Sequence, residues 1–343
     1  MKDILATIIH ISDPHFGEKL RTRKNIFKKV ASYTRLQSLM PHDYDTTWAL
    51  SEIIRQILKD RKNSNVPAGV VLSGDLTCNG KRSEFHIGTT FLRGKHWTSA
   101  NNSVGLELGR EKSVIDIHTS PALFIVPGNH DIWKRKDPTA LTLYQSYFSN
   151  SYPKTWKIKT YFNNIYLHGL NSTENTLTKH RLARGKISID QLNEIEQRIN
   201  SLKGKEKDSI HIVFLHHPIV GSDGAWKSNF ELDDYNKVAL RLLNIVDLVL
   251  SGHVHQHHFH LNRPDCPPHA IVGSALQMYS DQNFYLIDIK KRIIRIQNFK
   301  FNNKINKFVT RQSVRIPVLQ NKLAKSIRTL VLSLSKITKK NIS

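Results

Sequence analysis

Cysteine is scarce in this chain, since Cys78 and Cys266 are the only two among 343 residues. Two cysteines cannot form the disulfide framework of a small secreted protein, and such sparse use is typical of a reducing compartment. Long hydrophobic runs are also missing, because no stretch reaches the roughly 18 consecutive apolar residues of a transmembrane helix. The amino terminus carries a charge at Asp3 and leads directly into a motif-bearing strand, unlike a cleavable signal peptide. We therefore expect a cytoplasmic protein.

Acidic residues are in deficit relative to basic ones. The chain has 51 Lys and Arg against 28 Asp and Glu, which gives a formal net charge of +23. Fifteen of the basic residues lie between Lys290 and Ser343, a segment without Asp or Glu. Such charge favours acidic substrates or nucleic acid through electrostatic steering, although a lysine-rich surface also aids solubility alone. Both interpretations stay open.

The last part of this basic segment has helical periodicity. Between Val318 and Lys340, the apolar residues Leu323, Ile327, Leu330, Leu334 and Ile337 recur at spacings of four and three. This pattern predicts a basic amphipathic helix, which could pack on the domain, bind a partner helix or lie on an anionic membrane surface. The sequence has no repeats or compositional linkers. We therefore predict one domain over residues 1–316, with a surface insertion at about 94–109, and a C-terminal helix over 317–343.

Polar side chains follow five apolar runs at the point where each run ends. A run that stops at Pro127 and Gly128 is followed by Asn129, His130 and Asp131. The other four runs deliver the following residues: Asp13 and His15; Asp75; His216 and His217; His253 and His255. Buried parallel strands present functional loops at their carboxyl ends in this way. We therefore expect these side chains to meet at one edge, with more donors than a single cation can use.

The types of side chain in this set favour two metal ions. Residues two apart in an extended chain point to the same side, so Asp13 with His15, and His253 with His255, can each hold one ion. Nitrogen and oxygen donors without thiolates suit Mn²⁺, Fe or Zn²⁺, and a lone carboxylate such as Asp75 can bridge two ions. A water or hydroxide shared by the ions would be the nucleophile. His130 is placed to assist the leaving group, and Asp131 could fix its tautomer.

The motifs DPH, GDLT, GNHD, LHHP and GHVH, in this order over residues 13–255, resemble the five signature blocks of the calcineurin-like metallophosphoesterase superfamily. The resemblance implies an α/β fold, a four-layer α/β/β/α sandwich of two facing mixed sheets flanked by helices. It also implies two divalent metal ions. One ion would be held by Asp13, His15, Asp75 and His255. The other would be held by Asp75, Asn129, His216 and His253, with His130 stabilising the transition state or protonating the leaving group.

Within the superfamily, DPHFG, GDLT and LHHP are most similar to the branch with bacterial cyclic-nucleotide phosphodiesterases. The resemblance therefore implies a binuclear phosphoesterase that hydrolyses a phosphodiester, with a nucleotide as the expected substrate, by attack of a metal-bridging hydroxide. Three alternatives remain: a nuclease acting on DNA or RNA, a membrane-docked pyrophosphate hydrolase, and a non-catalytic scaffold. His217 could contact the substrate or only pack.

Overall fold

The structure is a computed structural model of the whole chain. It describes residues 3–17, 44–94, 98–99, 102–103, 105–109, 111–132, 139–148, 151–173, 183–220, 232–277 and 280–319. Within these residues, no helix is both long enough and apolar enough to cross a lipid bilayer.

The described residues form five helices and fifteen strands, numbered in chain order. The helices are α1 (Tyr44–Asn63), α2 (Arg82–Arg93), α3 (Thr139–Tyr147), α4 (Ile189–Lys205) and α5 (Tyr235–Leu242). The first strands are β1 (Ile4–Ile11), β2 (Ala68–Leu72), β3 (Thr98–Ser99), β4 (Asn102–Ser103), β5 (Val114–Ile115), β6 (Ala122–Ile125), β7 (Lys154–Ile158) and β8 (Ile165–Gly169). The remaining strands are β9 (Ile210–Phe214), β10 (Leu248–Ser251), β11 (His258–His260), β12 (His269–Ile271), β13 (Asn283–Lys290), β14 (Ile293–Asn302) and β15 (Lys307–Pro317).

The strands form two large mixed sheets and a short β3–β4 hairpin. The six-stranded sheet has the order β15-β14-β13-β1-β2-β6, and the seven-stranded sheet has the order β11-β12-β10-β9-β8-β7-β5. In the first sheet β1, β2 and β6 run parallel, and in the second β8, β9 and β10 run parallel. The five motif-bearing strands are therefore divided between the sheets, three in one and two in the other.

Alternate side chains of these strands enter different cores. Val71 and Phe124 from one sheet and Phe214 from the other belong to one buried cluster between the sheets. The neighbouring side chain Leu72 packs with α1, α2 and α3 on the outer face of its sheet. Val213 packs with α4 and α5 on the outer face of the second sheet. The period of two in the strands thus produces four layers, helices, sheet, sheet and helices, which confirms the expected α/β/β/α sandwich.

The sequence predicts two segments outside the main sandwich, an insertion at about 94–109 and a C-terminal helix. The predicted insertion at 94–109 is not a surface segment throughout, because Leu106 and Leu108 are buried and their amides donate to the carbonyls of Phe91 and Leu92. Those contacts extend the core beside α2. The C-terminal helix is predicted over 317–343; β15 ends at Pro317, and residues 320–343 lie outside the described residues.

Candidate metal centre

The ends of five strands bring the predicted side chains to one edge of the sandwich. β1, β2 and β6 end just before Asp13, Asp75 and Asn129, while β9 and β10 end just before His216 and His253. Hydrogen bonds between the loops fix their relative positions. The Asp13 amide donates to the Gly74 carbonyl over 3.1 Å, and the His15 amide donates to the Asp75 carbonyl over 3.0 Å. All seven predicted metal ligands are buried at this edge.

Left-handed backbone conformations aim most of these side chains. Asp13, His15, Asp75, His253 and His255 have φ between 50° and 72°. This region is sparsely populated by residues other than glycine and is costly for them. The positive φ turns the chain sharply as each strand ends. Residues that would otherwise continue into a loop thus point back into a shared centre.

One group of donors gathers around Asp13. The Nε2 atoms of His15 and His255 lie 3.2 Å apart, and His255 Nε2 lies 3.2 Å from Asp13 Oδ1. His15 Nε2 is 3.7 Å from the same Asp13 oxygen and 3.6 Å from Asp75 Oδ2. Two imidazole nitrogens and a carboxylate oxygen therefore converge, with Asp75 close on one side.

A second group gathers around His216. Its Nε2 atom lies 3.0 Å from Asn129 Oδ1, 3.0 Å from His253 Nδ1 and 3.3 Å from Asp75 Oδ2. Asp75 Oδ2 is thus near imidazoles of both groups, which is the position required of a bridging ligand. The structure brings together all seven predicted ligands at this edge.

These donors fit a pair of divalent cations. A single proton on His216 Nε2 could satisfy only one of the three atoms around it, whereas a cation is shared by all of them. The set of two carboxylates, one amide oxygen and four imidazoles suits Mn²⁺, Fe or Zn²⁺. The Asn129 Nδ2 group is buried and has no hydrogen-bond partner among the described residues, so it remains available for a group bound at the centre.

The electrostatics of the centre also call for positive charge. Burial alone would lower the pKa of His216, but the carboxylates of Asp75 and Asp13 outweigh it and raise this pKa to about 9. Burial lowers the pKa of His253 to about 3, with the nearby His216 adding to the effect. Burial would raise the pKa of Asp75, but the surrounding histidines lower it below its ordinary value. Both carboxylates therefore favour a cation between them.

Backbone carbonyls fix the tautomers of two histidines. His216 Nδ1 lies 2.8 Å from the Ser73 carbonyl, and His130 Nδ1 lies 2.8 Å from the Cys78 carbonyl. A carbonyl only accepts, so each Nδ1 carries a hydrogen and each Nε2 faces the centre. His130 Nε2 lies 4.0 Å from Asp75 Oδ2, and the ring is 12% exposed. His130 is thus the site residue with access to solvent, and neutral His130 presents a lone pair.

Asp131 does not set the tautomer of His130, contrary to expectation, because the Cys78 carbonyl occupies that position. The Asp131 carboxylate accepts four hydrogen bonds instead, from the amides of Gly128, Leu76 and Thr77 and from the Thr77 hydroxyl, over 2.9–3.3 Å. Burial and the nearby Asp75 raise the pKa of Asp131 to about 7, and these hydrogen bonds oppose the rise. Asp131 therefore ties the loop after β2 to the loop after β6.

His217 lies beside the second group of donors. One of its ring nitrogens lies within 4.8 Å of those of His216 and His253, and its ring centroid is 4.4 Å from that of His253. His217 Nδ1 and the His217 amide both contact the Ser172 hydroxyl, over 2.9 and 3.1 Å. His217 thus lies next to the centre, and its contacts with Ser172 fix its position.

The sequence patterns did not identify the residues that support the metal centre through their backbone groups or through contacts with other residues near it. Ser73 and Cys78 contribute carbonyls, and the Ser274 hydroxyl donates to the Asp13 carbonyl over 2.6 Å. His257 contacts Asp281, which also pairs with Lys300 at 2.6 Å. Trp133 and residues 134–136, which follow Asp131 closely in the sequence, lie outside the described residues.

The fold and the donors together define a metal-dependent phosphoesterase. The family model of the calcineurin-like phosphoesterase matches residues 6–257, which is most of the chain. The chain therefore belongs to the calcineurin-like phosphoesterase family and is a phosphoesterase. This membership confirms the resemblance that the five motifs indicated.

Several solved structures are similar to this chain, and the first of those named below supports its fold. A dimetal phosphatase from Danio rerio has 11% sequence identity and a TM-score of 0.53, covering 92% of this chain and 100% of that chain. The Thermus thermophilus sulfate thiohydrolase SoxB has 11% identity and a TM-score of 0.49, with 98% of this chain and 61% of that chain covered. Chaetomium thermophilum Vps29 has 10% identity and a TM-score of 0.34, with 91% and 97% covered. A search of curated protein sequences finds no match.

Proposed function

We propose that this protein hydrolyses phosphodiesters of small nucleotides, with two divalent metal ions as cofactors. The observation that carries the proposal is the position of Asp75 Oδ2, 3.3 Å from His216 Nε2 and 3.6 Å from His15 Nε2. One carboxylate thus serves both groups of donors, as a two-ion centre requires. When bound, such ions supply charge neutralisation and an activated water. Mn, Fe and Zn all fit the donor set.

The protein's own groups would position the substrate and handle the leaving oxygen. Asn129 Nδ2, which is buried and has no hydrogen-bond partner among the described residues, would donate to a phosphate oxygen. His130 is the partly exposed ring at the centre, and it can protonate or bind the leaving oxygen only as the imidazolium, because its neutral tautomer has no hydrogen on Nε2. A bound phosphate would favour this protonated form through its negative charge.

The choice of a nucleotide diester rests on the motifs. DPHFG, GDLT and LHHP resemble the branch that contains bacterial cyclic-nucleotide phosphodiesterases. Substrate preference depends on loops, and residues 18–43, 133–138 and 221–231 lie outside the described residues. A panel of substrates is therefore the proper test.

The experiment measures hydrolysis by the full chain with Mn²⁺. Substrates are bis-p-nitrophenyl phosphate, p-nitrophenyl phosphate, cyclic nucleotides and single-stranded DNA. We expect turnover of the diester and of at least one cyclic nucleotide, loss of activity with a chelator, and strongly reduced turnover by Asp75→Asn. Equal turnover by Asp75→Asn would refute the bridging role, and a strong preference for the monoester would refute the diester assignment.

A nuclease is the second candidate, and the net charge of +23 is the observation that favours it. Binding to nucleic acid releases counterions, so its affinity falls steeply as salt increases. Hydrolysis of a small cyclic nucleotide should depend weakly on salt. Turnover of single-stranded DNA with a steep salt dependence, together with no turnover of cyclic nucleotides, would establish the nuclease instead.

A further inference from the structure

Two turns meet at one end of the molecule and form what we call the basic aromatic tip. The β7–β8 turn contributes Tyr161 and Phe162, which are 81% and 69% exposed. The β13–β14 turn contributes residues 290–293, of which Ile293 is 37% exposed. Lys291 Nζ lies 5.5 Å from the centroid of the Phe162 ring, so the two turns are in contact.

The tip lies at the opposite end of the strands from the metal centre. β8 runs parallel to β9, with Ile165 beside Ile210, so the β7–β8 turn is at the amino ends while His216 follows the carboxyl end. In the other sheet β13 pairs antiparallel with β1, which places Lys290 beside Ile4. Five residues of strand separate the two ends by about 17 Å. A partner on the tip would therefore leave the centre accessible.

The aromatic side chains of the tip are held in the exposed position by their own turn. The Thr160 hydroxyl oxygen accepts hydrogen bonds from the amides of Phe162 and Asn163, over 3.3 and 3.2 Å. The same hydroxyl donates to the Asn163 carbonyl over 2.6 Å. Two exposed aromatic residues adjacent in sequence, in a turn that contacts the turn carrying Ile293, form the kind of apolar patch that marks an interaction site.

The β13–β14 side of the tip is basic, while on the β7–β8 side the Glu206 carboxylate accepts from Asn164 Nδ2 over 2.6 Å and pairs with Lys157. Within the described part of the chain, Lys290, Lys291 and Arg292 form no ion pair, and the sequence from 290 to 319 contains no Asp or Glu. The basic tail also starts here, because the Val318 amide donates to the Arg292 carbonyl over 3.0 Å. Residues 320–343 contain six further Lys and Arg and no acidic residue.

We propose that the basic aromatic tip docks this protein on the surface of an anionic lipid bilayer. Tyr161, Phe162 and Ile293 would enter the interfacial region, where amphipathic rings are favoured, and the lysines and Arg292 would contact headgroup phosphates. Single-stranded nucleic acid fits less well. It needs open ring faces along a groove, whereas Lys291 lies over Phe162 and the tip is a turn with an aliphatic side chain.

The test is co-sedimentation of the full chain with phosphatidylcholine vesicles, with and without phosphatidylglycerol. We expect binding that requires phosphatidylglycerol. The double variant Tyr161→Ser/Phe162→Ser and the triple variant Lys290→Glu/Lys291→Glu/Arg292→Glu should each lower the partition coefficient at least about tenfold. The matched control is Ile305→Ser, which removes a 53% exposed side chain from the β14–β15 turn at the other end of the sheet. It should bind like the unmodified chain.

Three outcomes would overturn the proposal. They are no binding of the unmodified chain to anionic vesicles, unchanged binding by both tip variants, and tip variants that lose binding to single-stranded DNA while vesicle binding is absent. Thermal unfolding of each variant shows whether it is folded. The vesicle assay does not involve hydrolysis, so its failure is independent of the proposed phosphodiesterase activity.

Discussion

The change Asp131→Asn tests how the two loops that carry Asp75 and Asn129 are held together. The Asp131 carboxylate accepts hydrogen bonds on both oxygens, from Gly128 and Leu76 on Oδ2 and from Thr77 on Oδ1. An asparagine keeps one oxygen, and its amide nitrogen must then face two donors.

The cost follows from those contacts. With the asparagine oxygen turned toward Thr77, the amides of Gly128 and Leu76 lose their acceptor while they remain buried. Each unsatisfied buried donor costs about 1–3 kcal/mol, so the free energy of unfolding should fall by about 2–6 kcal/mol. The two affected amides lie next to Asn129 and Asp75 in the sequence. We therefore expect metal affinity to fall by about 10-fold to 100-fold, as for other residues that support metal ligands.

Two measurements check this prediction. Urea unfolding of the chelator-treated protein gives the free energy of unfolding, and a calorimetric Mn²⁺ titration gives metal affinity. Thr77→Val is the matched control, because it removes one donor to Asp131 and one acceptor of the Gly80 amide but keeps the carboxylate. It should cost less than Asp131→Asn. If stability and metal affinity are unchanged in Asp131→Asn while hydrolysis is lost, Asp131 acts in the chemistry and does not serve to hold the two loops together.

Two further predictions concern buried ionisable side chains away from the metal centre. Burial lowers the pKa of His211 to about 3. Below pH 6.5 the unfolded chain therefore binds a proton at His211 while the folded chain does not, and the free energy of unfolding decreases as the pH falls below 6.5. His211→Asn should therefore cost about 2 kcal/mol less at pH 5 than at pH 8 in urea unfolding, whereas Leu167→Ala should cost the same at both. Arg61 pairs with buried Asp288 at 2.9 Å, so Arg61→Met should lower the free energy of unfolding by about 3–5 kcal/mol. Arg61→Met/Asp288→Leu should recover much of this loss, and an additive double variant would contradict it.

The sequence was sufficient to predict which side chains meet. Each ligand follows an apolar strand directly, and strand ends of parallel sheets gather at one edge. The strand β7 was not predicted, because its lysines Lys154 and Lys157 interrupt the apolar pattern and only Trp156 and Ile158 are buried. The structure shows β7 as a strand because it pairs with β8, and a local sequence pattern does not reveal such a pairing between strands.

The details of how the side chains are held could not be predicted. The tautomers of His216 and His130 depend on the carbonyls of Ser73 and Cys78. Every residue of the chain has a backbone carbonyl, and only its orientation in the folded chain decides which side chain it contacts. The partners of Asp131 are mostly backbone amides for the same reason. Sequence identifies side-chain chemistry, but it does not show which backbone groups point toward it.

The left-handed residues explain why the loops must be tied together so closely. A non-glycine residue at positive φ is held at an energetic cost, and it persists only where its surroundings over-determine it. Here the constraint comes from contacts between loops, such as the His253 amide that donates to Asp13 Oδ2 over 2.9 Å and the Gly252 amide that donates to the His216 carbonyl over 3.1 Å. Hydrogen bonds within the chain itself therefore help to hold the donors in position at the centre.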